Sequence, residues 1–345
     1  MGTTAGIRSR ATGALRDTAA RGPAGAIAML SPAGRFHLYA AAHFHFNPAM
    51  TQNHFLTRHV WQAPAVRRLR HLASLPRLYR YLSARHRRLP DFIIAGAQKA
   101  GTTSLWSYLS EHPLIEPPMI KEVHFFDQDF HLGVDWYRMH FPLNGSSRPR
   151  EDSERKTLTG ESSPYYMFHP LVPQRFATAL PNAKIILLIR NPIDRAFSHY
   201  QHSCRRRHET LTFEEAIEAE PQRLAGEQER LVADPRYDSA AHRRYSYLAR
   251  GQYLEQIHRW QQHFPPDRLL ILESGQFFRG TADAFARVLE FLELPRWQPA
   301  QFGNRYPGRY REKMSEATRR KLVEYFAPHN ERLYAHLGTR FDWDR

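Results

Sequence analysis

Three short apolar runs divide the chain, and none of them alternates apolar with polar positions. They read DFIIAGA at residues 91–97, KIILLIR at residues 184–190 and RLLILES at residues 268–274. Strands buried on both faces have this pattern, which is typical of parallel sheets covered by helices. A segment with helical spacing follows each run: TTSLWSYLSEH, NPIDRAFSHYQH and TADAFARVLEFLEL. The pattern predicts an α/β fold whose central parallel sheet lies between layers of helices.

Local signals place the start of one helix and add several others. Asn191 is a good N-cap residue, and Pro192 suits the first helical position. Helical spacing also runs through three later segments: TFEEAIEAE, YLARGQYLEQIHRWQQHF and SEATRRKLVEYFAPHNERLYAHLG. The chain shows no internal repeat, so we expect one large folded domain.

Charge is distributed unevenly along the chain. The 345 residues include 49 Lys or Arg and 34 Asp or Glu, a formal net charge of +15. Residues 1–90 contain 14 Arg and a single acid, Asp17, so they carry 14 − 1 = +13 and the rest carries +2. We therefore expect residues 1–88 to form a basic, partly disordered extension and residues 89–345 to form the folded domain. An organelle transit peptide, or a true start at Met50, is the alternative for the first fifty residues.

The most basic part of that extension is residues 67–88, which read RRLRHLASLPRLYRYLSARHRR. The spacing predicts short basic helices interrupted near Pro76. One interpretation is peripheral contact with an anionic surface, either a membrane or a polymer. The alternative is a solvated helix that docks loosely on the domain.

Composition excludes several classes of protein. The single cysteine, Cys204, rules out an intrachain disulfide framework and a Cys-rich zinc site. No apolar run approaches the ~18 to 20 residues of a membrane span, and no clear signal peptide is present. We therefore expect a cytoplasmic protein that contacts a membrane at most peripherally, and we predict no metal site.

A glycine-containing loop joins the first predicted strand to the first predicted helix, from Gly96 to Thr103. Backbone N–H groups at such a junction bind anions, and threonine hydroxyls add donors. In the usual nucleotide-binding P-loop the lysine follows the last glycine, whereas here Lys99 stands two residues before Gly101. This displacement argues against a metal-dependent nucleoside triphosphatase. A glycine turn with no ligand is the alternative.

Arg190 ends the second predicted strand, at the edge of the sheet where α/β folds bind ligands. Ser198 lies about two turns into the helix that follows. A guanidinium and a hydroxyl together suit a phosphate group. With the glycine loop, they indicate a nucleotide that carries phosphates at two separate places.

The segment Lys121–Asp127 reads KEVHFFD. On an extended backbone, Glu122 and His124 point to the same face. Two adjacent proton-transfer groups are what activation of a hydroxyl or amine nucleophile requires. An ordinary strand with solvated polar side chains is the alternative.

Taken together, these motifs resemble the sulfotransferase family, in particular the branch of the heparan sulfate 3-O-sulfotransferases and N-sulfotransferases and their bacterial relatives. GAQKAGTTSL is similar to the family's loop for the 5′-phosphosulfate of 3′-phosphoadenosine 5′-phosphosulfate (PAPS). RNPIDRAFSHYQH is similar to its 3′-phosphate motif, and KEVHFFD to the segment with its catalytic base. The resemblance covers about residues 90–345 and implies a P-loop-like three-layer sandwich.

The resemblance also implies a role for individual residues. Glu122 matches the general base, His124 and Asp127 match its supporting neighbours, and Lys99 matches the group that acts on the leaving phosphate. The residues expected to bind PAPS are Lys99, Ala100, Gly101, Thr102, Thr103, Ser104, Arg190, Ser198 and Arg309. Arg305 is the alternative to Arg309, because the family's late cofactor loop does not align securely with this sequence.

Two departures separate this chain from the heparan enzymes of that branch. Ser162 stands where they have a lysine, and Cys204 has no second cysteine with which to form their disulfide. The assignment of PAPS does not depend on either feature. A heparan-type acceptor does not follow from the motifs, so the acceptor is expected to be a carbohydrate or glycolipid only by resemblance.

The leading hypothesis is a metal-independent sulfotransferase that uses PAPS and transfers the sulfuryl group in line to a hydroxyl or amine. One alternative is a P-loop kinase that uses ATP and magnesium. Another is a nonenzymatic protein that binds polyanions through its arginine-rich segment. No module for specific nucleic-acid recognition is present in the sequence.

Overall fold

The structure is a computed structural model that describes residues 75–145, 157–303 and 313–343. Within those residues, four strands form one parallel sheet in the order β2-β1-β3-β4, and helices flank it. The strands are β1 (Phe92–Gly96), β2 (Gly160–Ser162), β3 (Lys184–Ile189) and β4 (Leu269–Glu273). The predicted α/β fold with a central parallel sheet is therefore confirmed.

Twelve α-helices lie within the described ranges. They are α1 (Leu75–Leu82), α2 (Thr102–Glu111), α3 (Val134–Arg138), α4 (Val172–Ala179), α5 (Pro192–Arg205), α6 (Phe213–Leu224), α7 (Glu227–Ala233), α8 (Ala240–Arg244), α9 (Tyr253–Gln261), α10 (Ser274–Arg279), α11 (Thr281–Phe291) and α12 (Glu316–Leu337). The helices predicted after the three apolar runs are confirmed as α2, α5 and α11. All three predicted strands are confirmed as β1, β3 and β4.

The short strand β2 was not predicted, because three residues carry too little periodicity to identify a strand. It pairs with β1 so that Gly160 lies beside Phe92. A Cβ atom on Gly160 would come within 2.5 Å of the Phe92 ring, so the close pairing requires glycine. This pairing brings the segment that follows β2 next to the predicted catalytic residues.

The strands are apolar because both of their faces are covered. Every residue of β1 is buried, and Ile185–Ile189 of β3 are fully buried. Asn191 caps α5 as predicted, since its side chain accepts hydrogen bonds from the backbone N–H groups of Ile193 and Asp194. The cap fixes the direction in which the chain leaves the end of β3.

One helix starts later than its sequence pattern predicts. Residues 247–264 have helical spacing, but α9 begins only at Tyr253. Arg250 is buried and donates hydrogen bonds to the carbonyl oxygens of His242 and Arg243. These two partners lie eight and seven residues before Arg250, and a third, Gln98, lies 152 residues before it, so the spacing of residues 247–264 could not reveal them.

The predicted N-terminal extension lies mostly outside the described residues, as does the segment 67–74. The described part contains α1, whose second residue is Pro76. Arg88 contacts the domain, with its Nη2 atom 2.7 Å from Asp91 Oδ2. The boundary at residue 88 remains a prediction.

Candidate active site at the carboxyl edge of the sheet

A cavity of ≈ 770 Å³ lies where β1, β3 and β4 end. Parallel strands present their carboxyl ends at one edge, so the loops that follow them meet there. Eight of the predicted site residues line this cavity: Lys99, Gly101, Thr102, Thr103, Ser104, Glu122, Arg190 and Ser198. Three motifs that lie far apart in sequence therefore share one space.

The loop between β1 and α2 is shaped by two glycines. A Cβ atom on Gly96 would lie 2.4 Å from the Met167 Cβ atom, so only glycine fits where the loop leaves the strand. Gly101 has φ = 101°, which favours glycine, and it is the N-cap of α2. The first turn of a helix leaves backbone N–H groups without intrahelical partners, and at α2 these belong to residues that line the cavity.

Lys99 is held in this loop by its backbone. Its φ of 74° lies in the left-handed region, and its carbonyl oxygen accepts a hydrogen bond from Arg190 Nη1 at 3.1 Å. Burial and, to a smaller extent, the positive charges of nearby arginines together lower the pKa of Lys99 to about 8; the arginines are Arg205, Arg190 and Arg195. An incoming anion would relieve this crowding of positive charge.

Arg190 and Ser198 face the same cavity from the end of β3 and from α5. Tyr253 supports the backbone of Arg190, because its hydroxyl donates to the Arg190 carbonyl oxygen at 2.8 Å. Ser198 is 3% exposed and lies on the second turn of α5. We call Lys99, Thr102, Thr103, Arg190 and Ser198 the cationic region.

A second set of side chains surrounds Glu122, which lines the cavity beside this region. Lys121 Nζ donates to Thr103 Oγ1 at 2.8 Å and lies 3.0 Å from Glu122 Oε1. His124 Nε2 lies 3.5 Å from Glu122 Oε2, and His124 Nδ1 lies 2.8 Å from Asp127 Oδ2. We call Lys121, Glu122, His124 and Asp127 the charge-paired cluster.

The charges of this cluster set its protonation. Burial raises the pKa of Glu122, but the hydrogen bond from His124 and the charge of Lys121 outweigh it and bring the pKa to about 2. Burial lowers the pKa of His124, but its hydrogen bonds to Asp127 and Glu122 outweigh that effect and raise the pKa to about 10. At neutral pH Glu122 is therefore a carboxylate and His124 is an imidazolium.

The extended backbone predicted for residues 121–127 is wrong. His124 has φ = 56°, and Phe125–Asp129 form one turn of π-helix. Glu122 and His124 are nevertheless adjacent, because the left-handed turn at His124 and the buried carboxylate of Asp127 place its ring beside Glu122. Asp127 is fully buried, so it fixes the ring from inside the domain.

A buried acidic side chain on β2 also fixes the backbone of the segment between Glu122 and His124. Glu161 is fully buried, and its Oε2 atom accepts from the Val123 backbone N–H at 3.1 Å and from Ser163 Oγ at 2.8 Å. Its Oε1 atom accepts from the hydroxyls of Tyr137 and Tyr166. Burial raises the pKa of Glu161 to about 7, and the hydrogen bonds from Tyr137, Ser163 and Val123 oppose the increase.

Of the predicted site residues that the structure describes, two stand apart from the cavity lining. Ala100 is fully buried, and its backbone N–H donates to the Ala97 carbonyl oxygen, so its part in the loop is structural. His124 reaches the cavity only through Glu122. Arg309 and its alternative Arg305 lie outside the described residues.

Several lining residues were missed. His202 lies one turn after Ser198 on α5, and Arg206 follows one turn later as the C-cap of that helix, a spacing that the sequence shows. Burial and the charge of Lys99 lower the pKa of His202 to about 4, so this ring is neutral. Glu273 ends β4 at the same edge of the sheet. Trp343 belongs to no sequence motif, and only the fold brings it to the site.

Comparisons with known proteins agree with this geometry. Residues 89–332 match the sulfotransferase domain family. The membrane-associated sulfotransferase kil1 of Dictyostelium discoideum is 26% identical, over 74% of this chain and 66% of its own length. The human bifunctional heparan sulfate N-deacetylase/N-sulfotransferase 3 is 35% identical, over 59% of this chain and 22% of its own length.

A solved structure is similar over most of the chain. The crystal structure of a sulfotransferase from Alicyclobacillus acidocaldarius is 30% identical, with a TM-score of 0.55, over 75% of this chain and all of that one. This chain spans less than two thirds of the length of the curated relatives above. No helix in the described ranges has the length and apolar character needed to cross a bilayer.

Proposed function

The chain belongs to the sulfotransferase domain family, and from that premise we propose that it transfers the sulfuryl group of PAPS to a hydroxyl or amine. One observation carries the proposal: Lys99, Arg190 and Glu122 line the same cavity. Two cations on separate strand ends suit a donor with anionic groups at both its 5′ and 3′ positions. A carboxylate beside them suits an acceptor that must lose a proton.

The residues of the cationic region fit this donor. The N–H groups at the start of α2, the hydroxyls of Thr102 and Thr103, and the ammonium of Lys99 would hold the 5′-phosphosulfate. Arg190 and Ser198 would hold the 3′-phosphate. Ser162, which stands in place of the heparan enzymes' lysine, is fully buried on β2, and its backbone N–H donates to the Lys121 carbonyl oxygen. The ammonium beside Glu122 is that of Lys121.

The donor supplies an activated sulfuryl group and leaves as 3′-phosphoadenosine 5′-phosphate. A bond forms between the acceptor oxygen or nitrogen and sulfur while the bond between sulfur and the phosphate oxygen breaks. Glu122 takes the proton from the acceptor, whose acidity rises as the new bond forms. Lys99 and the loop N–H groups stabilise the negative charge on the departing phosphate oxygen.

His124 and Lys121 position the base. Their contacts with the two Glu122 oxygens keep that side chain ionised and aimed into the cavity. The low pKa of about 2 makes Glu122 a weak base toward water, so the proton moves only as the acceptor attacks. Asp127 holds the imidazolium from the buried side.

The acceptor is proposed from the relatives. The curated relatives include enzymes named for heparan sulfate, so a carbohydrate or glycolipid acceptor is the class to test first. The cytoplasmic location expected from the sequence remains a prediction.

Ligand-induced thermal shift tests the donor. We expect 3′-phosphoadenosine 5′-phosphate to raise the melting temperature more than ATP with magnesium does. A larger shift with ATP and magnesium would contradict the proposal and favour a P-loop kinase. As a matched comparison, adenosine 5′-phosphate lacks the 3′-phosphate and should stabilise the protein less, because it leaves Arg190 and Ser198 without their ligand.

A transfer assay tests the reaction. The protein is incubated with ³⁵S-labelled PAPS and separate pools of glycans, glycolipids and phenols, and the product is identified by mass. Label in a glycan or glycolipid, lost in Glu122→Gln, is the expected result. Label only in phenols would overturn the acceptor class but not the use of PAPS.

A further inference from the structure

Helix α1 exposes the face that a helix of this sequence would ordinarily bury. Leu75, Leu78, Tyr79 and Leu82 follow the spacing i, i+3, i+4, i+7, so they share one face. Their relative exposures are 83%, 39%, 59% and 73%, and α1 contains no fully buried residue. An apolar stripe at this spacing usually faces a protein core. Here it faces outward.

The opposite face of α1 explains the orientation. Arg80 Nε donates to the Met139 carbonyl oxygen at 2.7 Å, and Arg80 Nη2 donates to the Phe141 carbonyl oxygen at 3.0 Å. Just after the helix, Arg87 donates to the same Phe141 oxygen. The arginine side of α1 is therefore anchored to the domain, and the leucine side is largely exposed among the residues that the structure describes.

Exposed arginines lie on the side of α1 away from the leucines and just after the helix. Arg77 and Arg85 are exposed, and Arg85 is 88% exposed even though its Nε atom lies 3.7 Å from Asp135. The chain contains no acidic residue from position 18 to position 90, and Arg67, Arg68 and Arg70 precede the helix in sequence. A partner of this helix therefore meets apolar side chains on one face and cations elsewhere on the helix and in the adjoining sequence.

We propose that α1 binds the surface of an anionic lipid bilayer, with its leucine face in the acyl boundary and its arginines at the headgroups. A lipid surface satisfies both features, because it offers apolar depth and negative charge together. An anionic polysaccharide would pair with the arginines but would leave the leucines in water. Eight residues are too few to span a bilayer, so α1 lies in the interface.

Vesicle flotation of the full chain tests this surface. The probes are vesicles of phosphatidylcholine alone and vesicles in which about one third of the lipid is phosphatidylserine. We expect binding to the second kind and little to the first. The double variant Leu78→Ser/Leu82→Ser should bind at least about 10-fold more weakly, because two exposed leucines no longer enter the bilayer.

Two controls separate the lipid contact from general effects. Val232→Ser changes an exposed apolar residue on α7, 53% exposed, and should bind as the unchanged protein does. Arg77→Ser/Arg85→Ser should weaken binding to the anionic vesicles by about 10-fold and leave the weak binding to neutral vesicles unchanged. Circular dichroism of each variant confirms that it is folded.

Three results would overturn the proposal. They are no binding of the unchanged protein to anionic vesicles, equal binding by the leucine variant, or a dimer in sedimentation that the leucine variant dissociates. The last result would show that a second copy covers the stripe. The vesicle assay contains neither donor nor acceptor. A negative result in it would therefore not bear on the proposed sulfuryl transfer, and a negative transfer assay would not bear on lipid binding.

Discussion

The cationic region lines the cavity that the charge-paired cluster reaches through Glu122, but the two are built in opposite ways. Lys99 and Arg190 are placed by backbone: a left-handed residue in a glycine loop, and the end of a buried strand. Besides burial, the groups that shift the pKa of Lys99 are all arginines. In the cluster, side chains place one another, and the carboxylates of Glu122 and Asp127 alternate with Lys121 and His124.

The difference reflects what each region does in the proposed reaction. Uncompensated cations are costly in the free protein, and that cost is recovered when an anion binds. A proton acceptor instead needs a fixed charge state, and neighbours of opposite charge supply it. Changes in the cationic region should therefore alter donor affinity, whereas changes in the cluster should alter turnover.

The largest effect is expected from Glu122→Gln, which keeps the shape of the side chain but removes its ability to take a proton. We expect kcat to fall by about 10²- to 10⁴-fold. The affinity for 3′-phosphoadenosine 5′-phosphate, measured by calorimetry, should stay unchanged. Glu324→Gln, an exposed residue of α12 outside the cavity lining, is the control. Near-normal turnover in Glu122→Gln would exclude it as the base.

Arg190→Ala should give the complementary result. Loss of a guanidinium that binds phosphate should weaken the affinity for 3′-phosphoadenosine 5′-phosphate by about 10- to 100-fold. At saturating PAPS, kcat should change much less. Arg236→Ala, an exposed arginine outside the cavity lining, is the matched control. If kcat fell and affinity did not, the division between the two regions would be wrong.

The lowered pKa of Lys99 predicts how donor binding depends on pH. Below about pH 8 the ammonium is charged and binds an anion; above it the free protein loses that proton. Between about pH 7 and pH 9, affinity for 3′-phosphoadenosine 5′-phosphate should fall by up to about 10-fold. Lys99→Arg keeps its charge across this window, so its affinity should stay flat. Equal pH profiles for the two proteins would argue against Lys99 as the titrating group.

The smallest effect is expected from a change at His124, within the charge-paired cluster. His124→Gln removes the hydrogen bond and charge that lower the pKa of Glu122 to about 2, so this pKa should rise toward its ordinary value of 4.5. Between about pH 4 and pH 6, kcat/KM should stay level in the unchanged enzyme but fall about 2-fold near the lower limit in the variant. Level profiles in both would show that His124 does not set the protonation of Glu122.

Much of the fold could be predicted because the apolar pattern of its strands indicates that both of their faces are buried. Runs such as residues 184–190 lack alternation since both faces are covered, and Asn191-Pro192 marks a helix start by local chemistry. β2 and the late start of α9 could not be predicted. The first is three residues long, and the second depends on the buried contacts of Arg250.

The candidate site was predictable where a motif follows a strand. The loop at Gly96–Thr103 and Arg190 meet because parallel strands end at one edge. The backbone at His124 was predicted incorrectly, because an alternating pattern of polar residues does not distinguish a strand from a left-handed turn fixed by a buried carboxylate. Glu161 gave no signal, since its four hydrogen bonds come from residues 2 to 38 positions away.

The sequence alone determined the order of strands and helices, the chemistry of the loop and the uneven distribution of charge. These are local properties, set by periodicity, by capping and by the presence of a single acid, Asp17, before residue 91. Tertiary structure decided which charges are paired, which lysine is crowded by arginines, and which face of α1 looks outward. Burial and electrostatics act between residues distant in the chain, so they take effect only once folding brings those residues together.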